Sequence, residues 1–256
     1  MYKKEIELTQ KIVKNALKIL NNKFSKKTKI LNISKKEFKT TTDFYLEKYI
    51  INELLNLKIN ILSEERGLII NDKNNLDSFW VVDPLDGTHN FIRNFLSCSI
   101  SIAYIVKGRL IFGVIGEYPS QLISWGGKNY GSYCNNKKIN VSKIRNKNES
   151  SLLTGFPSRL KFTTLYKNKF FRIIKNYSKI RMIGSASISL LSVARGKAET
   201  YFEEDIMIWD VAAGLAILEG AGGNFDIKRG SLQYSYNVIA SNKLSKKKNI
   251  NKIKII

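Results

Sequence analysis

Apolar residues recur at helical spacing over residues 5–20, where Ile6, Ile12, Val13, Ala16, Leu17, Ile19 and Leu20 share one broad face. The spacing returns after Asp43, which can cap or open a second helix carrying Phe44, Leu46, Ile50, Ile51, Leu54 and Leu55. The period then shortens. Residues 59–62 read as a strand that delivers Ser63, Glu64 and Glu65 at its carboxyl end, and residues 79–82 as a buried strand that delivers Asp83. Residues 99–106 and 110–118 form a hairpin around Lys107-Gly108-Arg109. A further strand pair, centred on Ile123 and Tyr133, leads through the Asn135-Asn136 turn to Ile139-Asn140-Val141.

Helices followed by antiparallel strands make the first half an α+β pattern. A polar join near residues 142–151 separates it from a half that alternates differently. Helical spacing covers residues 187–194, Gly196 breaks it, and residues 198–202 read as a strand. Asp210 then starts a helix through Ala212, Ala213, Leu215, Ala216 and Leu218 that stops at Gly220, Gly222 and Gly223, and residues 238–240 form a late strand. There is no internal repeat.

Length and charge narrow the class of molecule. The 256 residues suffice for one packed unit or two closely packed halves. A formal charge of +22 suggests a polyanion partner. Yet the surplus is mostly Lys, spread along the chain, and Lys26-Lys27-Thr28-Lys29, Lys35-Lys36 and Lys246-Lys247-Lys248 are not interleaved with aromatics as a stacking platform would be. A solvated surface is the expected reading, nucleic acid is not an expected partner although it is not excluded, and a positive field would still draw in an anionic substrate. Cys98 and Cys134 have no metal-ligand spacing, and Cys98, in an apolar run, reads as a buried free thiol. No stretch approaches the roughly 20 apolar residues that span a bilayer, and residues 1–5 lead into an amphipathic pattern rather than a signal core. The cytoplasm is the expected address, with no membrane partner.

The chemistry lies in two acidic segments, Asp83-Pro84-Leu85-Asp86-Gly87-Thr88 and Trp209-Asp210-Val211-Ala212-Ala213-Gly214, with Glu64 and Glu65 upstream. Asp83 and Asp86 would repel one another unless cations lay between them. Pro84 stiffens the turn, and Gly87 lets backbone approach a ligand. If Thr88 and His89 open a helix, their N–H groups face an anion. Taken singly, these features have plainer readings: Asp-Pro and Asp-Gly are common turn pairs, Asp210 suits a helix cap, and Trp209 is a core residue. Their combination points to metal-dependent phosphoryl chemistry.

The ordered set resembles the inositol monophosphatase family. The motifs are D-P-L-D-G-T-H-N-F at residues 83–91, W-D-V-A-A-G at 209–214, S-E-E at 63–65, T-T-x-D ending at Asp43, R-M-I-G-S-A at 181–186 and A-S-N at 240–242. The resemblance implies one catalytic domain over residues 1–256, built as a layered αβαβα sandwich with an α+β half (about 1–147) and an α/β half (about 148–256). It implies a homodimer and a phosphomonoesterase holding two or three Mg²⁺ ions on Glu64, Asp83, the Leu85 carbonyl, Asp86 and Asp210. Asp43 would polarise Thr88, and Glu64, helped by both, would orient or deprotonate the attacking water. Gly87 and Thr88 would cradle phosphate, and Gly184, Ala186 and Glu203 would contact the hydroxylated substrate.

An all-oxygen donor set without His or Cys also suits Mg²⁺ on chemical grounds, since this ion prefers oxygen ligands at about 2.0–2.1 Å. His89 is expected at the surface or behind the site, and Glu65 is expected to be more exposed than Glu64. Two departures from the family pattern are Asn94-Phe95-Leu96, where relatives carry a Gly-x-Pro turn, and the place of an upstream lysine, which falls on Asn32 unless Lys35 or Lys36 substitutes. The expected substrate is inositol-1-phosphate or a similar small polyol phosphate. Histidinol phosphate and 3′(2′),5′-bisphosphate nucleotides are the enzymatic alternatives, and a basic RNA- or transcription-complex-binding protein is the non-enzymatic one.

Overall fold

The computed structural model describes residues 2–24, 28–34, 37–158, 160–242 and 253–255. The first amphipathic run forms α1 (Lys3–Ile19), continued by a π-helical turn, and the second forms α2 (Thr41–Leu55). Between them β1 (Ile30–Ser34) pairs with β2 (Glu37–Thr40). Then come β3 (Asn60–Ser63), β4 (Gly67–Ile69), β5 (Ser78–Asp86), the short α3 (Thr88–Ile92), β6 (Cys98–Val106) and β7 (Arg109–Tyr118). With β8 (Ile123–Gly127), β9 (Gly131–Cys134) and β10 (Lys137–Lys138) these strands make one sheet, in the order β10-β9-β8-β7-β6-β5-β3-β4. Only β3 and β5 run parallel within it.

The second half comprises β11 (Ser151–Thr154), α4 (Thr164–Ile174), β12 (Lys179–Met182), α5 (Ala186–Ala194), β13 (Thr200–Met207), α6 (Ile208–Gly220), β14 (Asn224–Arg229) and β15 (Ser235–Ser241). Its sheet runs β12-β11-β13-β15-β14.

Three apolar clusters stack these elements into αβαβα layers. On the outer face of the large sheet, Ile12 and Leu17 of α1 and Leu46 and Ile50 of α2 pack with Trp80, Ile102 and Phe112. Between the sheets, α5 and α6 place Leu190, Ala212 and Leu215 against Val81, Ala103 and Ile115 on one side and Tyr201, Val238 and Ala240 on the other. Beyond the small sheet, Tyr166 and Phe170 of α4 cover Leu152 and Phe202. A helix apolar all round must be enclosed on every side, and α6 meets that condition: ten of its residues, from Ile208 to Leu218, are buried.

The structure shifts several predicted boundaries. Asp43 does not cap α2. Thr40 is the cap, and Asp43, three residues in, completes a capping box by accepting from the Thr40 N–H at 2.8 Å. Strand β5 does not end at Asp83 but runs on to Asp86. The helix after β13 begins at Ile208, two residues before Asp210. After the Asn135-Asn136 turn the short β10 comes before residues 139–141, which are irregular. Pairs β1/β2 and β11/β12, strand β14 and helix α4 went unread because their patterns are short or broken by Lys and Asn. Lys26 and Lys27 of the first basic cluster and the whole of the Lys35-Lys36 and Lys246–Lys248 clusters lie outside the described residues, while Lys29 is exposed. Cys98 is fully buried, as expected, and burial pushes its thiol up to about 12.

Strand β7 lies between α1 and α6 at unusually close range. A Cβ built on Gly113 would stand 2.5 Å from Ala213 Cα on α6, whereas one on Gly116 would meet the side-chain ends of Val13 and Leu17 on α1. Backbone cannot yield as side chains can. Gly113→Ala is therefore expected to cost about 2–3 kcal/mol or more, and Gly116→Ala clearly less; urea unfolding of the two variants checks the order.

Candidate active site

Parallel pairing of β3 with β5 sets the first two carboxylates side by side. Ser63 is in register with Val82, and the Glu64 N–H donates to the Val82 carbonyl at 3.2 Å, so Glu64 and Asp83 leave the sheet at the same edge. Residues three apart on a regular strand point to opposite faces. Between Asp83 and Asp86, however, β5 carries one residue more than β6: Asp83 pairs with Ser101 and Asp86 with Ser99. That bulge restores the parity and brings Asp83 and Asp86 to one pocket. Pro84 is tolerated there because the ladder is already broken.

The pocket holds about 260 Å³ and lies where the two halves meet. Glu64, Asp83, Leu85, Asp86, Gly87, Thr88, Gly184, Ala186, Glu203 and Asp210 all line it, so these predicted residues are brought together. Asp43 stands one layer back, where Thr88 Oγ1 lies 3.0 Å from its Oδ1 and 2.9 Å from the Leu85 carbonyl. Thr88 has one hydroxyl hydrogen, and it can serve either acceptor. His89 is exposed at the rim, its ring tilted 54° against that of Phe38 with centroids 5.1 Å apart.

Helix ends frame the acidic centre. The amino ends of α3, α5 and α6 open onto the pocket through Thr88, Ala186 and Asp210, and their partial positive charge favours anions. Asp86 Oδ2 accepts from Ser185 Oγ at 2.6 Å, from the Ser187 N–H at 2.8 Å and from Ser187 Oγ. Gly87 and Gly184 both have positive φ, 86° and 79°. They also face each other: a Cβ on Gly87 would stand 3.3 Å from the Gly184 carbonyl, and one on Gly184 would stand 2.9 Å from Asn90 Oδ1. Asn90 Nδ2 donates to the Ser97 and Ile183 carbonyls at 2.8 Å, tying the halves together beside the site.

Glu65 departs from expectation. Its side chain is only 3% exposed and its Oε2 lies 2.6 Å from Lys39 Nζ, so the carboxylate expected to be the more exposed is tucked under β2. Asn32, the ungapped place of the upstream lysine, is exposed on β1, and Lys35 and Lys36 lie outside the described residues. Behind the pair, buried Glu47 of α2 accepts from Ser63 Oγ at 2.5 Å and from Arg66 Nε at 3.2 Å, which fixes the β3–β4 turn. Sequence reading missed Phe38, Thr154, Gly155, Phe156 and Ile206 on the pocket wall. For Gly155 the only clue was its place after an apolar run; a Cβ there would stand 2.8 Å from Glu203 Oε2.

Crowded acids resist ionisation. Burial first, then the charges of Glu65 and Asp43, push Glu64 up to about 8. Burial holds Asp83 and Asp210 well above the carboxylate range, in each case with Glu64 and Asp86 adding to it. Asp86 is raised by burial against the opposing hydrogen bonds of Ser185 and Ser187. Burial takes Asp43 to about 6 and Glu203 to about 7, opposed by bonds from Thr40 and Tyr201 respectively. Asp83 shares hydrogen bonds with both Glu64 and Asp210. Among the described residues no three such side chains form a ready-made metal cage. The donor chemistry nevertheless fits a hard divalent cation: clustered carboxyl oxygens, poorly solvated and mutually repelling, with no soft ligand among them.

The fold and the site together define a metal-assisted phosphatase scaffold, and comparison with known proteins agrees. The model of the inositol monophosphatase family matches residues 1–254. The chain is 34% identical over 197 residues to Nus factor SuhB of Xylella fastidiosa, covering 76% of this chain and 70% of that protein. It is 32% identical over 183 residues to mouse inositol monophosphatase 1, covering 68% of this chain and 64% of that one. The crystal structure of extragenic suppressor protein SuhB from Bartonella henselae superposes with a TM-score of 0.82 at 26% identity, covering 93% of each chain. The chain belongs to the inositol monophosphatase family and is by class a phosphoric monoester hydrolase.

The raised carboxyls set the pH dependence of stability. Each binds its proton more tightly folded than unfolded, so stability is greatest at low pH and falls as pH rises toward the folded value. In metal-free buffer the melting temperature should fall between pH about 4, where carboxyls of an unfolded chain titrate, and about 8, the value reached by Glu64. Adding Mg²⁺ should raise it more at pH 8 than at pH 5. Calorimetric scans across that range check both trends, and a melting temperature that climbs with pH in metal-free buffer would contradict the crowding described.

Proposed function

We propose that this chain hydrolyses the phosphate monoester of a small polyol, with inositol-1-phosphate the foremost substrate. The observation that carries the reading is the meeting of five acidic side chains and three helix amino ends around one pocket of about 260 Å³. That volume falls just under the roughly 300–1,000 Å³ of pockets for drug-sized ligands, which favours a single-ring polyol over a bisphosphate nucleotide. Family membership supports Mg²⁺ as the cation.

Glu64, Asp83, the Leu85 carbonyl, Asp86 and Asp210 would hold it, and bound there it supplies charge neutralisation to the phosphoryl group. The remaining work belongs to the chain. Backbone N–H groups at Gly87 and Thr88 receive the phosphate at the amino end of α3. Glu64, at the pocket wall, orients or deprotonates the attacking water, while Thr88, oriented by Asp43, holds that water in line. Glu203, with Tyr201 donating to its Oε2 at 2.8 Å, faces the sugar-like hydroxyls together with Ala186 and Gly184. One catalytic unit made of both halves, a homodimeric assembly and a cytoplasmic location complete the proposal. They rest on the family pattern, on two free cysteines, and on the finding that no described helix is long and apolar enough to cross a membrane.

A second reading is association with a transcription complex, favoured by the Nus factor naming of relatives and by the charge of +22.

Phosphate release from inositol-1-phosphate, histidinol phosphate and 3′(2′),5′-bisphosphate nucleotides, assayed side by side with Mg²⁺ and with or without Li⁺, ranks the substrates; the inositol ester should lead. Asp86→Asn should cut kcat by several orders of magnitude, and near-normal turnover in that variant would sink the proposal. Gly155→Ala, which crowds Glu203, should raise KM for inositol-1-phosphate more than it changes kcat.

A further inference from the structure

The large sheet is wider than the helices that cover it. Eight strands at about 4.8 Å spacing span about 34 Å, whereas two helices side by side cover about 20–24 Å. Helix α2 lies over β3 and β5, and α1 over β6, β7 and β8. Past α1 the outer face of β8 and β9 emerges from cover. Trp125 of β8 and Tyr133 of β9, paired across the ladder, stack there at 5.1 Å and 21°, and both are half-buried.

Two adjoining hollows of about 670 and about 630 Å³ run along this edge, sharing Gln10, Trp125 and Asn136. Their other wall is α1. Lys11, Lys14 and Lys18 follow helical spacing, so they project from one side of α1, and with Lys3 they line the groove. All four are exposed, and among the described residues none forms an ion pair, while Glu7 is the one carboxylate on the wall. The groove shares no lining residue with the acidic pocket. Along the chain no basic cluster is interleaved with aromatics; folding interleaves them in space, by laying the lysines of α1 beside the rings of β8 and β9.

We propose that this groove between α1 and the β8–β9 edge binds single-stranded nucleic acid, the lysines tracking the phosphates and Trp125 offering a ring to the bases. A row of cations against an aromatic floor suits a strand that carries both charge and flat faces. An acidic peptide would use the charge and leave the rings idle. The site is independent of the phosphatase reaction.

Anisotropy of a labelled single-stranded RNA of about twelve nucleotides, within the roughly 4–16 nucleotides that comparable sites occupy, tests this with the full chain. Lys11→Gln/Lys14→Gln/Lys18→Gln should weaken binding at least about tenfold at low salt and reduce the slope of log K against log salt by about 2, at about 0.7 per lost contact. Phosphatase activity should be unchanged. Tryptophan quenching by the RNA should vanish in Trp125→Phe. The same neutralisation at Lys161, Lys167 and Lys175, exposed near or on α4, serves as control. Equal weakening in the control would show a diffuse charge effect and overturn the proposal. It is equally overturned if the unaltered protein does not bind at low salt, or if polyglutamate displaces RNA at equal charge.

Discussion

Like charges forced into a shared, poorly hydrated space are the constraint around which this molecule is organised. Burial raises the proton affinity of Glu64, Asp83, Asp86 and Asp210, neighbouring charges add to it at Glu64, Asp83 and Asp210, and the surrounding chain is arranged to tolerate them. Three helix amino ends point inward, and serine donors from α5 converge on Asp86 Oδ2. What remains uncompensated is an appetite for positive charge, which suits a hydrolase acting on phosphate esters through a divalent cation.

The same constraint explains local irregularities that would otherwise look like defects. The extra residue in β5 interrupts a long, wholly buried strand, and it is what turns two aspartates to one side. Positive φ at Gly87 and Gly184 lets two backbone turns approach where a side chain would fill the space. The pair of buried Glu47 with exposed Arg66 and the Lys39–Glu65 contact brace the turn that follows β3. Such features are costly singly but together they hold the donors in place.

Much of this could be read from the chain. Long apolar periods located α1, α2, β5 to β7 and α6, because burial on a regular face leaves a strong signature in residue order. The acidic motifs located the pocket through their ordered combination, since Asp83, Asp86 and Asp210 taken singly suit ordinary turns and helix caps. Less legible were elements whose partners are distant: β11, only four residues long, makes sense only between β12 and β13. Glu65 was misjudged because its cover comes from Lys39, 26 positions away. Thr154, Gly155 and Phe156 carry no chemical motif, and only tertiary packing brings them to the wall.

The location of Asp210 has a further consequence. It sits on α6, the helix enclosed between both sheets, whereas Phe38, His89 and Phe156 border the mouth on elements with solvent on one side. A change of preference for one alcohol over another can thus proceed by exchanging rings at the entrance, with little penalty to the interior. The reacting centre itself is welded to the frame, and altering it means parting the layers. Divergence among such proteins is channelled by architecture toward what they accept rather than toward how they cleave it.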